Sequence, residues 1–245
     1  MFCFVADGIN GPYYQLANYA IMAYTEAWTI PAYFLSFYPT SEHGMLCNHQ
    51  SVGPGGGTLG GDFIAPLKAV HIDTDGSLRL VYWHGNDALK GSALEASGPL
   101  GSAFVAHGAV RLPFGGNLSF VSCGEPQPAA AVVIDGQSLV MSVYVDGVAV
   151  ESVDRALTLA LVGGLPEANF TVLSRGGMFE FYFSDFLLLP ARFTSALSCV
   201  ELVGAGGLRV TNVWNMTDMP PQIPVPTAPT YPPTPETLRK SRAIL

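Results

Sequence analysis

Carboxylates and histidines are the side chains of this sequence whose types and spacing could do chemistry. Two carboxylates converging across a sugar would suffice for glycoside hydrolysis, one as nucleophile or base and the other as acid. Five aspartates lie in predicted turns, where short polar side chains satisfy the backbone: Asp73, Asp75, Asp135, Asp146 and Asp185. Four other acids have no turn to explain them: Asp7, Glu26, Glu42 and Asp62. No local pattern singles one of them out, so the catalytic residues stay unknown.

A metal-like mixture of residues occurs in "SEHGMLCNHQ", which holds His43, Cys47 and His49. Its spacing matches neither HExxH nor a zinc-finger pattern, so we interpret the segment as a polar loop and predict no metal site. The glycine-rich "VGPGGGTLGG" at 52–61 is a flexible loop without the GK[ST] of a phosphate-binding loop. There is no GxSxG motif, and no cofactor is predicted.

The four cysteines, Cys3, Cys47, Cys123 and Cys199, lie far apart and form no CxxC pair. The favoured interpretation is that they are single buried hydrophobic side chains, because free cysteine is so often part of a core. Disulfides, formed in an oxidising compartment, are the alternative.

Composition excludes several classes of partner. Of the 245 residues, 12% are charged and the formal net charge is -8, with 11 Lys and Arg against 19 Asp and Glu. This balance argues against nucleic acid as a partner and gives no polybasic membrane anchor. No apolar run reaches the ~20 residues that span a bilayer. The N-terminus predicts no signal peptide and begins within a strand, so we expect relatives to have a further N-terminal portion; the compartment is left unknown.

The elements that would position these residues are mostly short strands. A helix over Gln15–Trp28 or short strands fit residues 1–60 equally well. Residues 65–85 predict a hairpin around the Asp73–Gly76 turn, with Val70 and Ile72 on one face. Leu78, Leu80 and Tyr82 share a face of its second strand, while His71 and His84 face solvent.

From about residue 90 to 217, short apolar segments alternate with turn residues, which is the rhythm of an antiparallel sandwich. The predicted segments are 102–112, 117–123, 129–135, 137–147, 156–164, 169–177, 178–186, 187–193, 198–204 and 208–216. A proline-rich tail follows and is expected to be extended.

One stretch, "LSRGGMFEFYFSDFLLLPARF" at 173–193, resembles the signature strand pair in the C-terminal sandwich of glycoside hydrolase family 32, the invertase and levanase group. Its matching positions are Arg175, Glu180, Phe181, Tyr182, Phe183, Asp185, Arg192 and Phe193. The closing strand with Trp214 before Met216 and the hairpin led by Pro66 are also similar to that family. The resemblance implies an all-β fold: an antiparallel, concanavalin-like β-sandwich (91–219) preceded by strands of an incomplete β-propeller (1–90) and followed by the tail (220–245).

The family's catalytic motifs, W-x-N-D-P-N-G, R-D-P and an E-C pair, are absent from this chain. "CGEP" at 123–126 reverses the last of them, so Glu125 does not inherit the role of the acid. The resemblance therefore implies a C-terminal part of a carbohydrate-active protein that is inactive alone, with a fructan- or sucrose-like carbohydrate as its partner. Glu180 is expected on an outward face, solvated or paired with a neighbouring arginine.

Two other functions remain open. In a lectin-like module, the aromatic residues of 13–38 and Trp83 would stack on sugar rings. A structural jelly-roll protein of a virion or surface would also be rich in glycine, proline and strands.

Overall fold

The computed structural model describes residues 2–6, 10–20, 32–40, 44–51, 63–74, 76, 78–112, 114–138, 140–153, 166–175, 178–192 and 197–217. The first nine strands are β1 (Phe2–Val5), β2 (Tyr14–Ala20), β3 (Ala32–Thr40), β4 (Gly44–Ser51), β5 (Phe63–Ile64), β6 (Lys68–Ile72), β7 (Leu78–Tyr82), β8 (Lys90–Leu94) and β9 (Leu100–Gly101). The next ten are β10 (Phe104–Arg111), β11 (Gly116–Ser122), β12 (Pro128–Asp135), β13 (Val140–Val145), β14 (Val148–Val153), β15 (Glu167–Arg175), β16 (Met178–Phe183), β17 (Phe186–Arg192), β18 (Cys199–Gly206) and β19 (Leu208–Met216). A short 3-10 helix, His84–Leu89, connects β7 to β8.

Two antiparallel sheets form the sandwich. One contains β17-β16-β15-β10-β19-β8 and the other β14-β13-β12-β11-β18-β9. Alternate residues of each strand face the partner sheet, because successive side chains of a strand point to opposite faces. Phe179 and Phe181 of the first sheet and Phe120 of the second lie in this core, and the Phe120 and Phe179 rings stack with centroids 4.4 Å apart. The predicted all-β sandwich fold is confirmed.

The first sheet continues beyond the sandwich into β7, β6, β4 and β3. The junction is the pairing of Phe186 on β17 with Val81 on β7, and the Tyr82 amide donates to the Asp185 carbonyl at 2.6 Å. The hairpin formed by β6 and β7 therefore docks against the sandwich.

This hairpin matches the prediction. Val70 pairs with Leu80, and the Gly76 amide donates to the Asp73 carbonyl at 2.9 Å across the turn. His71 and His84 are exposed, as expected, while Ile72 shares the predicted face but is 62% exposed.

Two segments near the N-terminus differ from an interpretation given above. Segment 14–20 is a strand rather than the start of a helix, and 44–51 is a strand rather than a polar loop. The loop interpretation was wrong because Gly44, at φ 67°, turns the chain back so that β4 pairs with β3 along its length. The glycine-rich loop at 52–61, the segment 156–164 and the tail lie outside the described residues.

The cysteine prediction needs a correction. Cys123 and Cys199 form a disulfide, with their Cα atoms 5.5 Å apart. The register of β11 against β18 brings them together, since Ser122 lies opposite Val200. Cys47 is a free, fully buried thiol, as expected, and the side chain of Cys3 lies outside the description.

Among the described residues, no helix has the length and apolar character needed to cross a membrane.

Candidate functional site

Glu180 lies in β16, on the face that points away from the sandwich core. Its sequence context predicted a position in solvent or beside an arginine, but its exposed fraction is only 3%. The hairpin of β6 and β7 covers this face, and Lys68 from that hairpin supplies the partner. Lys68 Nζ lies 2.6 Å from Glu180 Oε1, and both side chains are buried.

Two further hydrogen bonds complete this buried pair. The Tyr182 hydroxyl donates to Glu180 Oε2 at 2.6 Å, and Lys68 Nζ donates to the Pro66 carbonyl at 2.7 Å. A buried charge is tolerated when it is paired and hydrogen-bonded in this way. The arrangement holds the hairpin against the sandwich.

The described residues around Glu180 leave no room for a substrate. The cavity beside it, lined also by Pro66, Ser174 and Arg175, has a volume of about 10 Å³. That is at most the space of one water molecule, ~10–15 Å³. The Glu180 carboxylate therefore cannot approach a glycosidic bond in this structure.

Neighbouring groups are also held in their protonated forms. Burial raises the pKa of the Cys47 thiol to about 11, with Lys68 opposing and Glu180 adding to the effect. Burial, followed by the charge of Glu180, raises the pKa of Tyr182 well above its usual value. The Tyr182 hydroxyl thus remains a hydrogen-bond donor near neutral pH, and the cluster is suited to stabilisation rather than proton transfer.

A second polar group surrounds Asp87, in the 3-10 helix that follows β7. The Tyr82 hydroxyl donates to Asp87 Oδ1 at 2.9 Å, and Lys90 Nζ lies 2.6 Å from the same oxygen. Burial of Asp87 would raise its pKa, but hydrogen bonds from Lys90 and Tyr82 outweigh that effect and lower it. Lys90 also lies over the Trp214 ring, 4.9 Å from its centroid. This group is a surface network of charge and aromatic rings.

His107 packs edge-on against Trp214, with ring centroids 5.0 Å apart. Burial is the main cause that lowers the pKa of His107, and the positive charge of Lys90 lowers it further. Its Nε2 atom is buried and has no hydrogen-bond partner among the described residues. The imidazole is therefore held neutral near pH 7.

Four of the five acids predicted in turns are described, and they behave as turn residues. Asp135 accepts hydrogen bonds from the Gln137 amide at 2.8 Å and the Ser138 hydroxyl at 2.7 Å; the Ser138 hydroxyl, then the backbone amides, lower its pKa. Asp146 and Asp185 adopt left-handed φ values of 48° and 67°. Asp73 pairs with Arg79 beside the hairpin turn.

Several candidate residues cannot be placed. Asp7, Glu26, Glu42, His43, Asp62 and Asp75 lie outside the described residues, as does the side chain of His49. Within the described part of the chain, no group of three or more His, Cys, Asp or Glu could hold a metal ion.

The aromatic residues proposed as sugar platforms differ in exposure. Trp83 is half-buried and its ring packs over Gly85, where a Cβ atom would collide with it. Tyr13 and Tyr14 are 62% and 54% exposed. Two exposed rings thus lie near the N-terminus, while Trp83 has one face covered.

Sequence reasoning missed an open groove on the outer face of the second sheet. It has a volume of about 770 Å³ and lies between the β11–β12 connection and the β13–β14 turn. Tyr144, Glu125 and Asp146 are among its lining residues. The only available signal was the run of small residues at 129–131 in β12, which leaves the sheet surface shallow.

Comparisons with known proteins identify the fold. No family model matches the chain, and no curated protein matches it. Among solved structures, a sucrose-6-phosphate hydrolase from Lactobacillus gasseri matches 87% of this chain with a TM-score of 0.60 and 12% identity. A Bombyx mori GH32 beta-fructofuranosidase matches 88% with a TM-score of 0.61 and 9% identity. A glycoside hydrolase family 32 structure from Bifidobacterium adolescentis matches 88% with a TM-score of 0.58 and 13% identity.

The chain has the fold of the C-terminal part of a family 32 glycoside hydrolase. It spans less than half of those structures: 47% of the Lactobacillus chain, 46% of the Bombyx chain and 35% of the Bifidobacterium chain. A variant of the Bombyx enzyme, matched with a TM-score of 0.59, was solved in complex with sucrose. The resemblance drawn from the stretch at 173–193 is thus confirmed at the level of the fold.

Within this family 32 fold, the motif residues have structural positions. Glu180 and Tyr182 belong to the buried pair with Lys68, and Asp185 forms the turn that contacts Tyr82. Phe181 and Phe183 pack between the two sheets. The resemblance therefore arose from residues that build the fold.

Proposed function

We propose that this chain is the C-terminal part of a family 32-like carbohydrate-active protein and that it does not hydrolyse glycosides by itself. The observation that carries the proposal is the fold match, which extends over 87% of the chain but only 47% of the Lactobacillus gasseri enzyme. At 12% identity that match concerns the fold, so the activity is our inference.

The chemistry of the carboxylates supports the inactive assignment. Hydrolysis requires two carboxyl groups on a rigid frame, about 5–5.5 Å apart in a retaining enzyme. Among the described side chains, Glu180 is the only buried carboxylate, and its charge is neutralised by Lys68. Asp73 and Asp87 are engaged with Arg79 and Lys90. With the three family motifs missing from the sequence, we assign the reaction to no pair of the described carboxylates.

A neutral carbohydrate is the ligand class that fits best. Sucrose is the ligand of the Bombyx mori variant, and the net charge of -8 disfavours polyanions such as nucleic acids. We therefore assign the chain a role in binding a neutral carbohydrate or in supporting that binding.

Turnover of sucrose, levan and inulin by the purified chain tests the proposal, with an active family 32 enzyme as the positive control. We expect no released fructose above the buffer blank. Clear turnover by this chain alone would contradict our account of the carboxylates.

The DNA upstream of Met1 provides an independent test. We expect an in-frame extension that encodes the missing motifs, and the extended protein should hydrolyse at least one of the three substrates. An extended protein that carries the motifs and lacks activity would count against the proposal.

A lectin-like module is the second candidate, favoured by the exposed rings of Tyr13 and Tyr14. It predicts glycan binding without hydrolysis and loss of that binding in the Tyr13→Ala/Tyr14→Ala variant. A glycan array probed with both proteins separates this candidate from the first.

A further inference from the structure

The groove on the outer face of the second sheet is large enough for a small ligand. Its volume of about 770 Å³ lies within the range of ~300–1,000 Å³ that is usual for ligand pockets. The residues that matter here are Glu125, Gln127, Ala129, Ala131, Tyr144 and Asp146.

The floor of the groove follows from alternation along β12. Val132 and Ile134 face the core, so Ala131 and Val133 face outward. Ala131 lies directly opposite Tyr144 on β13. The small Ala131 side chain leaves one side of the partly exposed Tyr144 ring open to the groove. An open aromatic ring suits a flat apolar ligand face.

The walls supply hydrogen-bond acceptors. Glu125 and Gln127 lie on the β11–β12 connection and Asp146 on the β13–β14 turn, and all three are exposed. None of the described lining residues is Lys, Arg or His. The charge of the groove therefore disfavours anions and complements a ligand that donates hydrogen bonds.

Both walls are held in place by covalent or backbone contacts. The disulfide between Cys123 and Cys199 ties the β11–β12 connection to β18, and the Glu125 amide donates to the Ser122 carbonyl at 2.9 Å. On the other side, the Asp146 amide donates to the Ala129 carbonyl at 3.0 Å. Walls that are fixed before binding reduce the ordering that a ligand must impose.

We propose that this groove binds a neutral oligosaccharide, with one sugar ring against Tyr144 and sugar hydroxyls donating to the Glu125 and Asp146 carboxylates. An aromatic ring beside carboxylate acceptors matches a ligand with one apolar face and many hydroxyl donors. The choice of a sugar over another hydrogen-bond donor rests on the proposed carbohydrate-active function.

Isothermal titration calorimetry of the full chain tests this site, with sucrose and neutral fructo-, gluco- and galacto-oligosaccharides as probes. We expect at least one oligosaccharide to bind, and Tyr144→Ala to weaken that binding about tenfold or more, the usual effect of truncating a central aromatic residue. Tyr144→Phe should retain the binding because it keeps the ring, and Glu125→Gln should weaken it. Thermal unfolding of each variant checks that it is folded.

Phe114→Ala is the matched control, because Phe114 is 80% exposed, lies between β10 and β11, and does not line the groove. It should bind as the unaltered chain does. Absence of any oligosaccharide binding, or equal binding by the unaltered chain and Tyr144→Ala, would overturn the assignment of the groove as an oligosaccharide site. Binding of an oligolysine peptide in place of every sugar would reassign the groove to cationic peptides and also overturn it. The proposed lack of hydrolysis by this chain alone is tested separately, by turnover and by the upstream sequence.

Discussion

Replacing Lys68 by methionine would leave Glu180 as a buried charge without its cation. The two side chains are 0% and 4% exposed, so water cannot take over the role of the ammonium group. Removing one partner of such a pair destabilises proteins by about 3–5 kcal/mol. Domains are stable by only about 5–15 kcal/mol, so Lys68→Met should lose a large part of the free energy of unfolding.

Replacing the whole buried group should restore stability. In the triple variant Lys68→Met/Glu180→Met/Tyr182→Phe, the charge pair and the hydroxyl that donates to it are replaced by apolar groups of similar size. Because well-packed apolar replacements of buried ion pairs are often neutral or stabilising, most of the loss should be recovered. Stopping at Lys68→Met/Glu180→Met leaves the Tyr182 hydroxyl without its acceptor, which should cost about 1–3 kcal/mol.

Guanidinium denaturation followed by tryptophan fluorescence and far-ultraviolet circular dichroism measures these differences. Lys90→Met is the control, because the Lys90 and Asp87 side chains are 19% and 47% exposed and such a pair contributes ~0–1 kcal/mol. A loss below about 1 kcal/mol in Lys68→Met, or a triple variant no more stable than the single one, would refute the account of the buried pair.

Three further predictions follow from individual side chains. The Cys47 thiol, buried and with its pKa raised to about 11, should resist iodoacetamide at pH 8 until guanidinium is added; peptide mass mapping that finds fast labelling of the folded chain would contradict this. Because burial lowers the pKa of His107 below the usual histidine value of ~6.5, the unfolded chain binds a proton there first as pH falls. The stability that the neutral His107 contributes is fully present above pH 6.5 and is lost as pH falls towards the lowered pKa. The denaturation midpoint of His107→Asn should therefore decline less between pH 7 and pH 5 than that of the unaltered chain. Gly108→Ala places a methyl group against the Phe170 ring and should lower the free energy of unfolding by about 1–3 kcal/mol, whereas Gly101→Ala, with nothing within 4 Å of the new atom, should change it little by the same measurement.

Local pattern was sufficient for much of the fold. The alternation of apolar and polar residues at 65–85, with Asp73 and Gly76 at the turn, predicted the hairpin, because both signals act over a few neighbouring residues. Segment 44–51 was misread because its polar residues obscure the fact that Gly44 returns the chain against β3.

The candidate sites depended on contacts that the local sequence does not contain. Glu180 was expected in solvent or beside an arginine, since nothing in β16 indicates that Lys68 from a distant hairpin covers it. The disulfide of Cys123 with Cys199 and the groove beside Tyr144 likewise join residues from different strands. The sequence by itself determined the hairpin at 65–85, most of the described strands of the sandwich and the resemblance to family 32, because these depend on neighbouring side chains. Tertiary structure decided which charges are buried and which surfaces are open, because only the pairing of strands brings residues far apart in the chain into contact.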